Sequence, residues 1–215
     1  MYIHIWKPLI GMTVAGMALL VLAPLLILIS VCLFCITRKS PFFLQTRVGR
    51  HEKLFKIIKF KTMTNDRDLS GTLLSDAERG FPFGDFLRRS SLDELPQLIN
   101  ILKGDMAFVG PRPWIPEQLM AFPKRYCTKR CSVRPGITGL AQIHGRNDIP
   151  FCRRLCYDSI YVGRVSCKMD AIILCRTVQK ILAREGIQQC QNAFQNKLGQ
   201  PLVQKDLSLR PPSHP

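Results

Sequence analysis

The chain has 215 residues, enough for one folded unit of ordinary size and little more. Hydrophobic residues make up 47% of it, which excludes a disordered chain, and 31 Lys and Arg face 15 Asp and Glu, a net charge of +16. Such an excess calls for a polyanionic partner: nucleic acid, an anionic membrane surface or a phosphorylated substrate. The nine Cys do not read as a secreted disulfide framework. Their number is odd, Cys32 and Cys35 sit in an apolar run, and no small-residue cleavage pattern follows that run. A reduced, cytosol-facing protein is the better reading.

From Pro8 to Thr37 the chain carries no charge. A straight helix of that length measures about 45 Å, against a hydrocarbon core of about 30 Å. Pro24 falls near the middle, where it removes a helical hydrogen bond and clashes with the preceding turn. Each leg is then roughly 20 to 24 Å, too short to cross alone. Basic residues flank both ends, Lys7 on one side and Arg38-Lys39 on the other, the pattern left when both ends stay in the cytosol. The residues themselves leave two readings open: one tilted, kinked span, or a re-entrant helix hairpin.

Residues 42–48 and 54–63 are rich in aromatic and β-branched types around Gly49-Arg50-His51-Glu52, and predict a β-hairpin. Arg38, Lys39, Arg47, Arg50, Lys53, Lys56, Lys59 and Lys61 crowd this stretch against Glu52 alone. Beside a membrane segment such charges attract anionic headgroups at about 1 kcal/mol each, and otherwise they form a solvated face. Residues 64–80 read as a polar loop, 83–89 as a short helix, and 92–103 as a longer one with Leu92, Leu95, Ile99 and Leu102 on one stripe. Gly104 is placed to close that helix. Gly110-Pro111-Arg112-Pro113 and the segment from Arg134 to Gly139 are expected to be irregular turns. Ser166 is positioned to cap a helix over 167–185, with Leu174, Val178 and Ile181 facing inward and Gly186 ending it. Residues 191–215 form a polar tail.

The chemistry is concentrated in Ser91-Leu92-Asp93-Glu94-Leu95-Pro96. Adjacent acids at a helix start have an ordinary explanation: Ser91 and Glu94 fit the capping-box spacing, or Asp93 is the N-cap with Pro96 in the first turn. The functional reading makes one carboxylate a nucleophile or Mg²⁺ ligand and its neighbour an acid, base or second ligand. Cys127-x₃-Cys131 and Cys152-x₃-Cys156, with His144 between them, offer either a zinc site or solvent-shielded thiols acting as small hydrophobes.

A series of segments then occurs in order: Lys59-Phe60-Lys61-Thr62-Met63, Ser91-Leu92-Asp93-Glu94-Leu95-Pro96-Gln97, Gly104-Asp105-Met106, and Val109-Gly110-Pro111-Arg112-Pro113. The run from Arg134 to Gln142 follows, then Gly145-Arg146-Asn147, Asp158 with Tyr161-Val162, and Ser166 with Asp170. Together they resemble the bacterial sugar transferases, the small monotopic phosphoglycosyl transferases, over residues 7–184. The chain departs from the usual pattern at Ala23-Pro24, where Ser-Pro is common, and at Lys61, where Arg is usual.

The resemblance implies an α+β fold: an N-terminal re-entrant membrane helix hairpin (1–37), a small, mainly helical interfacial catalytic domain with a β-hairpin (38–190), and the tail (191–215). It implies transfer of a sugar-1-phosphate from a UDP-sugar to undecaprenyl or another polyprenyl phosphate, with release of UMP. Asp93 becomes the nucleophile of a ping-pong reaction through an aspartyl-phosphosugar, and Glu94 a catalytic partner. Asp93 and Glu94 are also the candidate ligands of a Mg²⁺ cofactor. Arg112 in its Gly-Pro-Arg-Pro turn is the expected bidentate phosphate contact, with Lys59 and Arg146 as further substrate contacts; Arg146 has the alternative of an ion pair with Asp158 or Asp170. The implied location is the cytoplasmic face of the bacterial inner membrane, in contact with lipid of that leaflet. A nucleic-acid partner is not expected, since no aromatic-basic platform accompanies the charge. A homo-oligomer stays open, and a non-catalytic membrane adaptor is the alternative from another class.

Overall fold

The computed structural model describes residues 1–68, 70–145 and 149–183. The expectations for Arg146, Gly186 and the tail 191–215 lie outside the described residues.

A π-helical turn, Tyr2–Trp6, feeds into α1, Lys7–Thr37, an uninterrupted helix with Pro24 inside it. The proline deletes one bond of the ladder, and the turns on either side carry the helix past it. The expected division into two legs therefore does not end the helix at Pro24. Together, residues Tyr2–Thr37 are long and apolar enough to cross a membrane. Arg38, in the left-handed region at φ 51°, turns the chain out of α1.

Strands β1 (Phe42–Val48) and β2 (Leu54–Phe60) follow as the expected antiparallel hairpin, with Phe42 opposite Phe60 and Val48 opposite Leu54. Its connection is a 3₁₀ turn, Arg50–Glu52. The polar stretch beyond it contains one short helix, α2 (Asp76–Arg79), and α3 (Pro82–Arg89) matches the short helix read from the sequence. The helix expected over 92–103 is broken. A 3₁₀ turn, Leu92–Glu94, comes first, and α4 starts only at Gln97 and ends at Leu102. Ser91 sits in the left-handed region, and Pro96, at the N-cap position of α4, has no N–H to extend the ladder backwards. The helical phase resets there, so Leu98 and Ile101 are buried while Leu102 is 47% exposed. Gly104, at φ +83°, closes α4 as expected.

Strands β3 (Ala107–Val109) and β4 (Gly136–Thr138) pair in parallel, Ala107 beside Gly136 and Val109 beside Thr138. Helices α5 (Pro116–Met120) and α6 (Lys124–Arg130) lie between them in the chain. β4 corrects the reading of 134–139 as irregular turn throughout. A three-residue strand next to Pro135 and Gly139 shows no alternation, and its pairing rests on close backbone approach instead. A Cβ on Gly136 would lie 2.1 Å from the Gly110 nitrogen, so only glycine fits.

Helices α7 (Leu140–Ile143), α8 (Phe151–Gly163) and α9 (Cys167–Leu182) complete the described chain. Ser166 caps α9 as expected, its hydroxyl accepting from the Met169 N–H at 3.2 Å. The face of α9 does not follow the expectation: Leu174, Val178 and Ile181 are 40%, 56% and 40% exposed. Asp170 and Ile173 point inward instead, with Thr177 on the same face. A polar anchor fixes this rotation. Tyr161 donates to Asp170 Oδ1 at 2.7 Å, Tyr2 donates to Oδ2 at 2.7 Å, and Lys7 Nζ lies 2.8 Å from Oδ2. The start of α1 is thereby tied to α8 and α9.

α1 is built into the core along its length. Gly11 and Ala15 are buried, Gly11 beside Ile101, and Ala15 packs with Ile57, Leu98, Ile101 and Met106. Ala18, Leu19 and Leu22 extend that contact. Beyond Pro24, Leu25, Leu26, Ile29 and Leu33 pack with Phe60 and Leu87. Spacings of three and four put all of these on one helical stripe. The opposite face is apolar too, with Leu20 and Val21 nearly four-fifths exposed. Of the cysteines, Cys127 on α6 and Cys131 at its C-terminal cap are buried, and on α8 Cys152 is half-buried and Cys156 exposed.

Candidate active site

Three elements converge beside α1. β2 supplies Lys59, the 3₁₀ turn before α4 supplies Asp93 and Glu94, and the turn after β3 supplies Arg112. Lys59 Nζ donates to Glu94 Oε1 at 2.6 Å, and Arg112 Nη2 donates to the same oxygen at 3.1 Å. Four of the five residues singled out from the sequence are thus brought together; Arg146 lies outside the described residues.

Neither capping explanation of the acid pair holds. No side chain caps the 3₁₀ turn at Ser91 or α4 at Pro96. An N-cap at Asp93 would need the N–H of residue 95 or 96, but the Leu95 N–H donates to the Leu92 carbonyl at 3.2 Å and Pro96 has none. In a 3₁₀ turn neighbouring side chains project about 120° apart, so adjacent acids meet different surroundings. Glu94 takes the two cations. The Asp93 carboxylate is bonded to no side chain among the described residues, although Lys59 and Arg112 act on it through space.

Both acids line a partly open cavity of about 1100 Å³. Among the described residues, eight basic ones border it (Arg47, Lys59, Lys61, Arg79, Arg88, Arg89, Arg112, Lys180) against three acids, Asp85, Asp93 and Glu94. Such a wall concentrates anions. Sequence reasoning left two parts of it out of the site. Arg47 follows Gln45 on one face of β1, donates to the Pro113 carbonyl at 3.1 Å and borders the cavity; period-two placement on the hairpin was the available signal. Thr138, Gln142, Thr177 and Lys180 form another part of its wall, with the Thr138 and Thr177 hydroxyls 2.7 Å apart. That wall joins β4, α7 and α9, and nothing in the sequence signals the contact. The carboxylates weighed as partners for Arg146 are also engaged elsewhere: Asp158 pairs with Arg130, and Asp170 with Lys7.

The two acids differ in proton affinity. Burial alone would raise the Glu94 carboxyl, but Lys59 and then Arg112 hold it well below the usual carboxylate range. Burial first, and the Glu94 charge second, push Asp93 up to about 6 despite the same two cations. Both cation bonds fall on Glu94 Oε1, which leaves Oε2 and the Asp93 carboxylate to meet a divalent cation. Among the described residues no third His, Cys, Asp or Glu joins them to form a protein cage. Mg²⁺ fits such a pair, because it binds through one or two carboxylates and completes its shell with water and phosphate oxygens.

The raised Asp93 value has a sign that can be measured. Between about pH 4 and 6 the native carboxyl keeps a proton that the unfolded chain has released, so this group lowers stability as pH rises and the deficit persists above that window. In metal-free protein, Asp93→Asn should therefore melt above wild type at about pH 8, with the gain vanishing near pH 4. Thermal unfolding in EDTA across that range checks it.

The family model for bacterial sugar transferases matches residues 2–184. An uncharacterised sugar transferase of Bacillus subtilis, EpsL, is 44% identical over 176 residues, 81% of this chain and 87% of that protein. The undecaprenyl-phosphate galactose phosphotransferase of Salmonella typhimurium is 40% identical over 160 residues, 65% of this chain and 33% of its own length. The UDP-glucose:undecaprenyl-phosphate glucose-1-phosphate transferase of Xanthomonas campestris is 36% identical over 195 residues, 86% of this chain and 40% of that protein. The chain spans most of the Bacillus protein and less than half of the other two. With the match covering nearly all of the described residues, the chain belongs to the bacterial sugar transferase family and is a phosphoglycosyl transferase.

Proposed function

We propose that the protein transfers a sugar-1-phosphate from a UDP-sugar to undecaprenyl phosphate or a similar polyprenyl phosphate, releasing UMP, with Asp93 carrying the phosphosugar between the two halves. One observation carries this reading. Asp93, with no side-chain partner among the described residues, stands at a strongly basic cavity beside a Glu94 whose charge is held by Lys59 and Arg112. The names of the Salmonella and Xanthomonas relatives support the acceptor, and the latter supports the UDP-sugar donor.

In the first half, an Asp93 carboxylate oxygen attacks the β-phosphorus of the UDP-sugar. The bond from that phosphorus to the bridging oxygen breaks, and UMP leaves with the electron pair. In the second half, an oxygen of the polyprenyl phosphate attacks the same phosphorus and the Asp93 carboxylate is released. A carboxylate suits both halves, because the acyl phosphate it forms is itself a good leaving group. Two phosphates and a carboxylate repel one another, and Arg112 and Lys59 offset that charge from one side of the cavity. Arg112, unlike Lys59, can grip a phosphate with two parallel bonds. When bound at Glu94 and Asp93, Mg²⁺ would neutralise donor phosphate charge as a Lewis acid.

The same proposal places the protein on the cytoplasmic face of the inner membrane with α1 re-entrant. The folded domain packs along both halves of α1, before and after Pro24. A transbilayer α1 would draw α4 and β2, with Asn100 and Lys59, into hydrocarbon, where polar and charged groups cost several kcal/mol. Lying with both ends on one side, α1 turns its exposed apolar face to lipid while its inner face completes the core. The lipid acceptor then reaches the cavity without leaving the bilayer, and the nucleotide sugar without entering it. In a background cleared of native cysteine, His4→Cys and Glu117→Cys should both resist a membrane-impermeant thiol reagent in intact cells and react once the cells are opened. Labelling of His4→Cys alone in intact cells would mean that α1 spans.

The covalent step is tested without the lipid. Wild-type protein given UDP-glucose, UDP-galactose or an N-acetylated UDP-sugar should release up to one equivalent of UMP with the donor it accepts. The peptide containing Asp93 should gain the mass of the phosphosugar. Asp93→Asn should stay folded and release none, because an amide is not a usable nucleophile at phosphorus. An active Asp93→Asn protein, or label on another residue, contradicts the assignment.

A further inference from the structure

We propose that Arg130 and Asp158 are positioning residues for the active site. They set the backbone of Arg112 so that its guanidinium meets Glu94 and, in the reaction proposed above on which this inference rests, the donor phosphate.

The pair is almost fully enclosed, with side-chain exposures of 2% for Arg130 and 3% for Asp158. Taking two charges out of water is expensive, and an apolar pair of similar volume would serve packing at least as well. What the ion pair delivers is a bond that no apolar pair can make. Arg130 Nη2 donates to the Arg112 carbonyl at 2.6 Å, while Nε and Nη2 hold Asp158 Oδ2 at 3.0 and 2.9 Å. The guanidinium also lies over the Trp114 ring, 4.0 Å from its centroid. One planar head therefore joins α6, α8 and the proline-rich turn, a geometry that a lysine ammonium cannot reproduce.

The turn needs such a hold because Pro111 and Pro113 have no N–H, so a regular strand ladder cannot fix it. Its carbonyls are caught one by one. The Gly136 N–H donates to Pro111 O at 3.0 Å, Arg47 to Pro113 O at 3.1 Å, and the Val48 N–H to Trp114 O at 2.9 Å. Arg130 holds the remaining one in this series, and it belongs to the residue whose side chain reaches Glu94. A displacement of about 1 Å in a substrate-positioning group can cost on the order of a hundredfold in rate.

A simple structural tie between α6 and α8 would show the same contacts, so the test is a double-mutant cycle on the full-length protein. UMP release is followed with undecaprenyl phosphate and the best donor among UDP-glucose, UDP-galactose and UDP-N-acetylglucosamine. Asp158→Asn should lower kcat/KM about 10- to 100-fold in the wild-type background, and less than about twofold in an Arg112→Ala background, because the residue being positioned is already gone. If Asp158→Asn does not fold, Arg130→Lys enters the same cycle. An equal loss in both backgrounds, or no loss in the wild-type background, overturns the inference, as does an Arg112→Ala protein with full activity. Failure of the function reading itself shows separately, as wild-type protein that releases no UMP from any donor, and would take this inference with it.

Discussion

Asp93 and Glu94 place two carboxylates side by side in a partly buried site, and two cations meeting on one oxygen divide their behaviour. Lys59 and Arg112 both bond Glu94 Oε1, so Glu94 keeps its charge and its position. Asp93 receives no such partner and feels the Glu94 charge as repulsion. The local backbone makes this division by projecting the two side chains from a 3₁₀ turn in different directions. The rest of the molecule supplies the cations at the right place: the β1–β2 hairpin brings Lys59, and the packed turn after β3 brings Arg112. That turn in turn depends on the close backbone approach that Gly110 and Gly136 allow.

α1 is more than an attachment to the bilayer. Its inner stripe supplies Ala15 to one core cluster and Ile29 and Leu33 to another, and the same clusters hold Ile57, Leu98 and Phe60 beneath the active site. Gly11 and Ala15 are small, which lets α4, the helix that follows the acid-bearing turn, approach closely. Membrane binding and site assembly therefore share one helix. In the proposed topology, the apolar face that meets lipid and the face that builds the core are opposite sides of one helix, which explains why α1 is apolar all round.

Much of this was legible in the sequence where local rules govern. The hairpin followed from β-branched and aromatic runs around a turn, the α9 cap from Ser166, and the end of α4 from Gly104. The acid pair, Lys59 and Arg112 were legible through ordered motifs. What escaped depends on long-range contact. β4 is three residues long and is defined by glycine-mediated approach rather than by pattern. The phase of α4 departs from its apolar stripe because Pro96 resets it. The inward face of α9 departs from the Leu174–Val178–Ile181 stripe because Asp170 must reach Tyr161 and Lys7. Arg47 and the Thr138–Thr177 wall belong to the site only because distant strands and helices meet there.

The central claim is that Asp93 carries the phosphosugar before the acceptor arrives. It is tested most directly by isotope exchange in the complete absence of polyprenyl phosphate. Labelled UMP incubated with the protein, Mg²⁺ and the accepted UDP-sugar should enter the UDP-sugar pool, since a reversible first half-reaction returns UMP to the same phosphorus. Asp93→Asn should abolish that exchange. Exchange that appears only when the lipid acceptor is added, in a protein that turns over normally with it, would contradict the covalent account and point to direct transfer between the two substrates.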